Sequence, residues 1–448
     1  MFKRIYFLIF LSLYLFLLNP TLFALTTTKY HPIQYVKIQN GKLWVYSGEG
    51  KYIPFYIKGV GYQPTPIGRH PRDWGYSQDD PRSRINNIFD DPAILNRDFS
   101  KLQKMNANTI RIWKGNDTTN SQGRYPDKLT NSNTTGNPNK IQNTVDIADK
   151  YGLKVIAGFW VNGVNFDKNN NIRSEDDEGN YISREQIINN FVSYVNTFKN
   201  DRAILFWAIG NENNYDRIKG HLMSHKQLRA WYSLVNDMAQ AAHDAEGAGF
   251  HPVSVINLEV DHIGDINYGA TDKQLPALDI WGINAYRGKS FYTLFNEYHN
   301  RSKKPLWMAE FGIDAWHVNN IDKPEDGYED QDTQSQWAGV LWDEIVQHMP
   351  VTIGGAEMEY SDEWWKSSEG CVNPHLSHQE RVKLLTSCNG IHNYLGYKDG
   401  GFPSRYVSKE WFGIMSIAQN LKDPKGPDLV KERKVYFNLQ KKWESKVY

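Results

Sequence analysis

Cysteine is almost missing from this 448-residue chain, occurring only as Cys371 and Cys388. That scarcity excludes the disulfide-dense framework of a small secreted domain. An excess of one charge is missing too, because Lys+Arg and Asp+Glu number 51 each. Such a chain has no global field to draw nucleic acid or an anionic membrane, and a neutral polymer suits it better. No phosphate-binding glycine loop, dinucleotide fingerprint or serine nucleophile elbow occurs, so nothing points to an organic cofactor or an esterase mechanism. Internal repeats and low-complexity linkers are absent as well. The length then favours one large α/β core with elaborated loops.

Aromatic residues, by contrast, are abundant: 15 Trp, 26 Tyr and 20 Phe. Their flat apolar faces with polar rims suit sugars, although most of these rings are expected in the core. Met1 to Arg4 provide a basic start, Ile5 to Leu18 an apolar stretch, and Asn19 to Ala24 a cleavage region, the layout of a secretory signal peptide. The expectation is cleavage after Ala24, export, and a mature chain of residues 25–448. A neighbouring cut or an uncleaved anchor are the alternatives, since the large Leu22 departs from the usual small residue. No later run is apolar enough to cross a bilayer, so no stable membrane insertion is expected after cleavage. In an oxidising compartment Cys371 and Cys388, both in one loop-like region, are expected to form a structural disulfide, with two inert thiols as the alternative.

Eight short apolar runs read as buried strands: Phe55 to Tyr62, Thr109 to Trp113, Lys154 to Trp160, Ile204 to Gly210, Val253 to Asn257, Asp279 to Ala285, Leu306 to Glu310 and Thr352 to Glu359. Helical signals separate most of them, the pattern of repeated βα units. Asp91-Pro92 opens a helix through about Met105. Ser183 with Gln186 and Ser224 with Gln227 read as capping boxes. Asp332 precedes a helix in which Trp337, Leu341 and Ile345 recur every fourth residue and should face the barrel. Residues 261–276 hold little helical pattern, so a helix there is short or missing. Tyr30 to Pro54 reads as an added hairpin turning at Asn40-Gly41, placed to close the bottom of the barrel. Residues 361–408 form the longest irregular stretch, on the side of the last strand where a substrate-shaping loop belongs. The fold class is therefore α/β, a single (β/α)8 barrel with an N-terminal β-hairpin and a long loop after strand eight.

Two of the runs end in a glutamate: Ile204 to Ile209 lead into Gly210-Asn211-Glu212-Asn213, and Pro305 to Ala309 into Glu310-Phe311-Gly312. An acid at the stop of a buried parallel strand emerges at the carboxyl end, where barrel active sites lie. A helix cap or a surface ion pair explains one such glutamate; two in matching contexts favour a site. Partial metal patterns are weaker. Asp167 to Glu178 has the spacing of a calcium loop but Ile172 where the turn needs glycine, and His221 with His225 lacks the glutamate of a zinc protease motif. No metal site is expected.

These motifs, their order and their placement resemble the retaining glycoside hydrolases of clan A. Lys58 to Gln63 and Gly355 to Trp365 extend the resemblance across nearly the whole mature chain, closest to the family 2 barrel domain and the family 72 β-1,3-glucanosyltransferases. The resemblance implies Glu212 as acid/base after strand four and Glu310 as nucleophile after strand seven. It also implies that Tyr286, ending Trp281 to Tyr286, donates to the nucleophile, with rim packing as its alternative. Retaining chemistry agrees with such a pair, because one carboxylate attacks the anomeric carbon while a carboxylic acid protonates the departing oxygen. Arg111 has the fixed fork of donors that orients a nucleophilic carboxylate, a structural ion pair being its alternative. Asn211 is placed to bond the sugar 2-hydroxyl, or else to cap a turn. Trp364 and Trp365, with Tyr360 nearby, are candidates for a sugar platform, and Trp113 and Trp160 are weaker ones. Glu357, Glu359, Asp362 and Glu363 crowd the end of strand eight and read as substrate hydrogen bonders or loop anchors. The expected activity is cleavage of a β-linked glucan or related β-glycan without cofactor. Transglycosylation shares every catalytic residue, and a non-catalytic carbohydrate-binding protein is the rival from another class.

Overall fold

The computed structural model describes residues 33–67, 91–114, 141–167, 169–175, 181–216, 221–317, 319, 327–363, 391–393, 406–445 and 447. Eight parallel strands close into one barrel: β1 (Ile57–Gly61), β2 (Thr109–Ile112), β3 (Lys154–Phe159), β4 (Ile204–Ile209), β5 (Val253–Leu258), β6 (Ile280–Asn284), β7 (Leu306–Phe311) and β8 (Thr352–Glu357). Each strand pairs with its sequence neighbours, and β8 closes the ring against β1 with Gly354 beside Ile57. The near-continuous apolar runs follow from this placement, because β4, β6, β7 and β8 are buried along their whole length.

Helices α1 (Pro92–Lys104), α2 (Gln142–Lys150), α3 (Arg184–Phe198), α4 (His225–Glu246), α5 (Leu294–Arg301), α6 (Gln331–Gln347) and α7 (Lys434–Trp443) accompany the strands. Local chemistry starts several of them. Asp91 accepts the Ala93 N–H with Pro92 in the first turn of α1, and Ser183 and Ser224 form complete capping boxes with Gln186 and Gln227. Helix α6 begins earlier than expected: Asp330 is its cap, accepting from Thr333, while Asp332 lies in the first turn and pairs with Lys434. Leu341 and Ile345 are buried and Trp337 packs against the core at its edge. Between β5 and β6 every residue is described, and the only helical turn is the 3-10 segment Ile266–Tyr268. Among the described residues no helix is long and apolar enough to cross a membrane.

The N-terminal addition is a three-stranded antiparallel sheet, Val36–Gln39, Lys42–Gly48 and Lys51–Phe55, rather than a hairpin alone. Asn40 (φ 54°) and Gly41 (φ 71°) make its expected turn, both in the left-handed region that such a turn requires. The run expected as one strand from Phe55 to Tyr62 is split, because Tyr56 leaves the sheet and anchors its hydroxyl on Ile345 O and Thr352 Oγ1. Val36, Leu43 and Val45 of the sheet share an apolar cluster with Ile57, Ile156, Leu205, Ile280 and Ile353 from the beginnings of the barrel strands. The sheet thus seals the end of the barrel opposite the strand termini.

Candidate active site

A register break aims Glu310. Along β6 and β7, Ile283 faces Met308 but Asn284 faces Glu310, so Ala309 is one residue too many for its partner. The extra residue re-aims the side chain after it, as strand bulges beside active sites do. Ala309 belongs to the cluster inside the barrel, and Glu310 next to it meets Arg111 from β2 at 2.8 Å. The carbonyl of Ala309 is also taken by Arg111 Nη1, at 2.7 Å. One guanidinium therefore secures both the bulge and the carboxylate that it presents.

The β4 terminus breaks differently. Gly210 (φ 65°) turns the chain left-handed where a Cβ would stand 2.3 Å from Asn213 Oδ1, and Glu212 holds φ 57°. Both φ values are costly for residues with a Cβ, and such outliers gather at functional sites. Neighbouring amides hold the turn. Asn213 accepts the Asn211 N–H at 2.8 Å and donates to Val161 O at 2.7 Å. Asn214 bonds both the N–H and the C=O of Leu258 at the end of β5.

Glu310, 6% exposed, receives donors on both oxygens. Arg111 and Trp113 Nε1 reach Oε1 at 2.8 and 2.7 Å, and the Tyr286 hydroxyl reaches Oε2 at 2.8 Å. Trp113 also lies under the Arg111 guanidinium, 4.5 Å from its ring centre. Burial pulls Arg111 below its ordinary value, opposed chiefly by the charge of Glu310. Burial pushes the Tyr286 hydroxyl well up, reinforced by Glu310, so it stays a donor.

Arg111 also fixes the polarity of an amide relay. Its Nη2 donates to Asn211 Oδ1 at 2.6 Å, which orients that amide. Asn284 Nδ2 then donates to the same oxygen at 3.0 Å and to Glu212 Oε1 at 2.8 Å. The five residues Arg111, Asn211, Glu212, Tyr286 and Glu310 meet in one network at the carboxyl ends of β2, β4, β6 and β7. Asn284 and Trp113 join this network, and Asn213 and Asn214 hold the turn at Glu212, parts that sequence reasoning did not assign to them. Asn284 carried a signal, as a polar residue closing the apolar run Trp281 to Ile283.

Other expected residues fall elsewhere. Tyr360 is no sugar platform: it is 1% exposed, its ring edge lies on Tyr62, and its hydroxyl donates to Asp98 of α1. The cause is the path after β8, which folds back so that Tyr360 N bonds Gly61 O. Asp362 is a loop anchor, forked by Arg433 Nη1 and Nη2 at 2.5 and 2.8 Å. Glu357 is 1% exposed, its Oε2 without a hydrogen-bond partner among the described residues, and burial pushes its carboxyl well up. Trp160 donates to Asn162 Oδ1. Trp364, Trp365, Cys371 and Cys388 lie outside the described residues.

The model of the glycosyl hydrolases family 2 TIM barrel domain matches residues 129–370, more than half of the chain and inclusive of Glu212 and Glu310. The chain belongs to this family. Solved structures similar to the family 2 barrel include a β-glucuronidase of Faecalibacterium prausnitzii, at 15% identity and a TM-score of 0.50, over 91% of this chain and 51% of that one. A family 2 β-galacturonidase of Eisenbergiella tayi bound to galacturonate matches at 13% identity and a TM-score of 0.48, over 91% and 53%. The chain thus spans about half the length of these proteins. No curated protein matches the sequence.

Proposed function

We propose that this family 2 barrel is an exported retaining β-glycosidase acting on a β-linked glucan or related β-glycan, with Glu310 as nucleophile and Glu212 as acid/base. The observation that carries the reading is the set of donors around Glu310. Arg111, Trp113 and Tyr286 converge on Glu310, and a cation with two further donors stabilises the negative charge an attacking carboxylate needs. Glu212 takes the neutral amide of Asn284 on Oε1, a donor that positions this carboxyl without a cation's charge, as suits the group that passes a proton to the departing oxygen. Membership of the family supports glycosidic chemistry, and the leader-like start supports export.

In the proposed cycle Glu310 attacks the anomeric carbon as Glu212 protonates the leaving oxygen, giving a glycosyl ester. Glu212 then removes a proton from water, which attacks the same carbon and releases Glu310. Asn211, whose oxygen is held by Arg111 and Asn284, presents its amide N–H pair toward the sugar 2-hydroxyl.

The test is a panel of β-1,3-, β-1,4- and β-1,6-glucans, mannan, xylan and aryl β-glycosides, with β-glucuronides included because a solved neighbour is named a β-glucuronidase. Release of a β-configured sugar, with a mechanism-based label on Glu310, is expected. Products longer than the substrate identify transfer to sugar instead of water, and glycan binding with no cleavage anywhere overturns the reading.

A further inference from the structure

Glu259 unites two costs in one residue. It follows β5 directly and holds φ 58°, in the left-handed region that side chains with a Cβ disfavour. Its carboxylate is also buried, the residue being 3% exposed, against Arg287 at 5%. Arg287 Nε lies 3.2 and 3.1 Å from the two carboxylate oxygens, and Nη2 lies 2.7 Å from Oε2. A glycine would relieve the backbone, and an apolar pair would avoid desolvating two charges, since buried ion pairs contribute little net stability. Strain retained in this way beside an active site points to geometry that is being held.

What the pair holds is the end of β6. The Glu259 N–H donates to Asn284 O at 3.0 Å. Arg287 follows Tyr286 directly, and its Nη1 donates to Phe291 O at 3.1 Å. Between these anchors stand Asn284, the donor to Glu212, and Tyr286, the donor to Glu310. On the other side of Glu259, Leu258 is bonded through both backbone groups to Asn214, two residues beyond Glu212. Glu259 is thus the junction between the supports of the two carboxylates.

We infer that Glu259 is a positioning residue for the reaction proposed above, acting through Asn284 and Tyr286 and touching no substrate. The inference rests on the reading of Glu212 and Glu310 as the reacting pair. With the Arg287 clamp gone, the segment from Asn284 to Tyr286 drifts, and both acids lose aim at once. Binding of the sugar, which uses other groups, changes little.

Glu259→Gly and Glu259→Gln test this through kcat and KM on an aryl β-glycoside and through thermal unfolding. Glycine relieves the left-handed backbone but leaves Arg287 buried without its carboxylate, so the unfolding temperature falls, and kcat is measured well below it. Meanwhile kcat falls about 10- to 100-fold, the scale of a misplacement remote from the chemistry, with KM changed less than about threefold. Glutamine retains acceptors for Arg287 and recovers part of the loss. In an Asn284→Ala, Tyr286→Phe background the same Glu259→Gly change lowers kcat less than about threefold further, because the groups it acts through are gone. A full multiplicative loss in that background, or an unchanged kcat in Glu259→Gly, overturns the assignment. If Glu259→Gly does not fold, Glu259→Gln decides: reduced kcat in the folded protein, measured well below its unfolding temperature, supports it, and wild-type kcat overturns it. A wild-type protein inactive on every glycoside overturns the functional reading and this assignment together, whereas an active one with multiplicative losses overturns the role of Glu259 alone.

Discussion

The hydroxyl of Tyr286 stands 2.8 Å from Glu310 Oε2, on the oxygen opposite to the one held by Arg111 and Trp113. Removing it with Tyr286→Phe takes away one aimed donor while keeping the ring packed edge-on against Phe412. The expected loss in kcat is on the order of 100-fold, the scale for a single preorganised donor. Because burial and then Glu310 raise the Tyr286 value, the hydroxyl keeps its proton through pH 10. The alkaline limb of the wild-type rate profile below that pH therefore belongs to another group and survives in Tyr286→Phe; a limb that vanishes with the hydroxyl refutes the argument.

The two glutamates separate by role. Glu310→Ala should nearly abolish turnover of every substrate, because no carboxylate remains to form the intermediate. Glu212→Ala should be spared with an activated aryl glycoside, and added azide should restore breakdown of the intermediate as a β-glycosyl azide. Their carboxyl groups, in a crystal structure, should lie about 5 Å apart; about 9 Å would favour inversion. Full activity of either variant on an unactivated glycan removes that residue from the mechanism.

Glu357 gives a pH signature in stability. Its folded-state carboxyl lies well above the ordinary value of 4.5 because of burial, so its stabilisation is complete below that value and drains away as pH rises through the folded one. Glutamine cannot ionise. The unfolding free energy of Glu357→Gln relative to wild type should therefore climb as pH rises above 4.5. A difference that stays flat in urea titrations across that range contradicts the assignment.

Export and the disulfide are tested on the secreted fraction. Protein sequencing should begin near Leu25, and non-reducing peptide mapping should join Cys371 to Cys388. Intact Met1 in that fraction, or two alkylated thiols in native protein, would each refute one of these expectations.

How much was legible in the sequence depends on the range over which each feature is encoded. The barrel strands and the caps at Asp91, Ser183 and Ser224 are written in runs of a few residues, and the glutamates stand out because each ends such a run. The weak pattern of residues 261–276 likewise matches the single 3-10 turn between β5 and β6. The bulge at Ala309 was hidden, because it exists only as a register between β6 and β7. Asn284 looks like a strand residue, and Trp113 like a weak platform candidate, until that register and the Arg111 fork bring them to the acids. Tyr360 misled for the converse reason: its neighbours in sequence are at the barrel mouth, but its partners, Tyr62 and Asp98, come from the other end of the chain.

The seam between β8 and β1 has a consequence for biogenesis. β1 is synthesised among the first strands, yet one of its edges has no partner until Gly354 and its neighbours emerge. Until then the growing chain carries an open sheet edge beside the apolar face of Val36, Leu43 and Val45, the kind of surface that captures other chains during slow, long-range closure. A nascent chain halted before β8 should therefore be a client of holding chaperones, and one bound for export gains time in the unfolded state from the same delay.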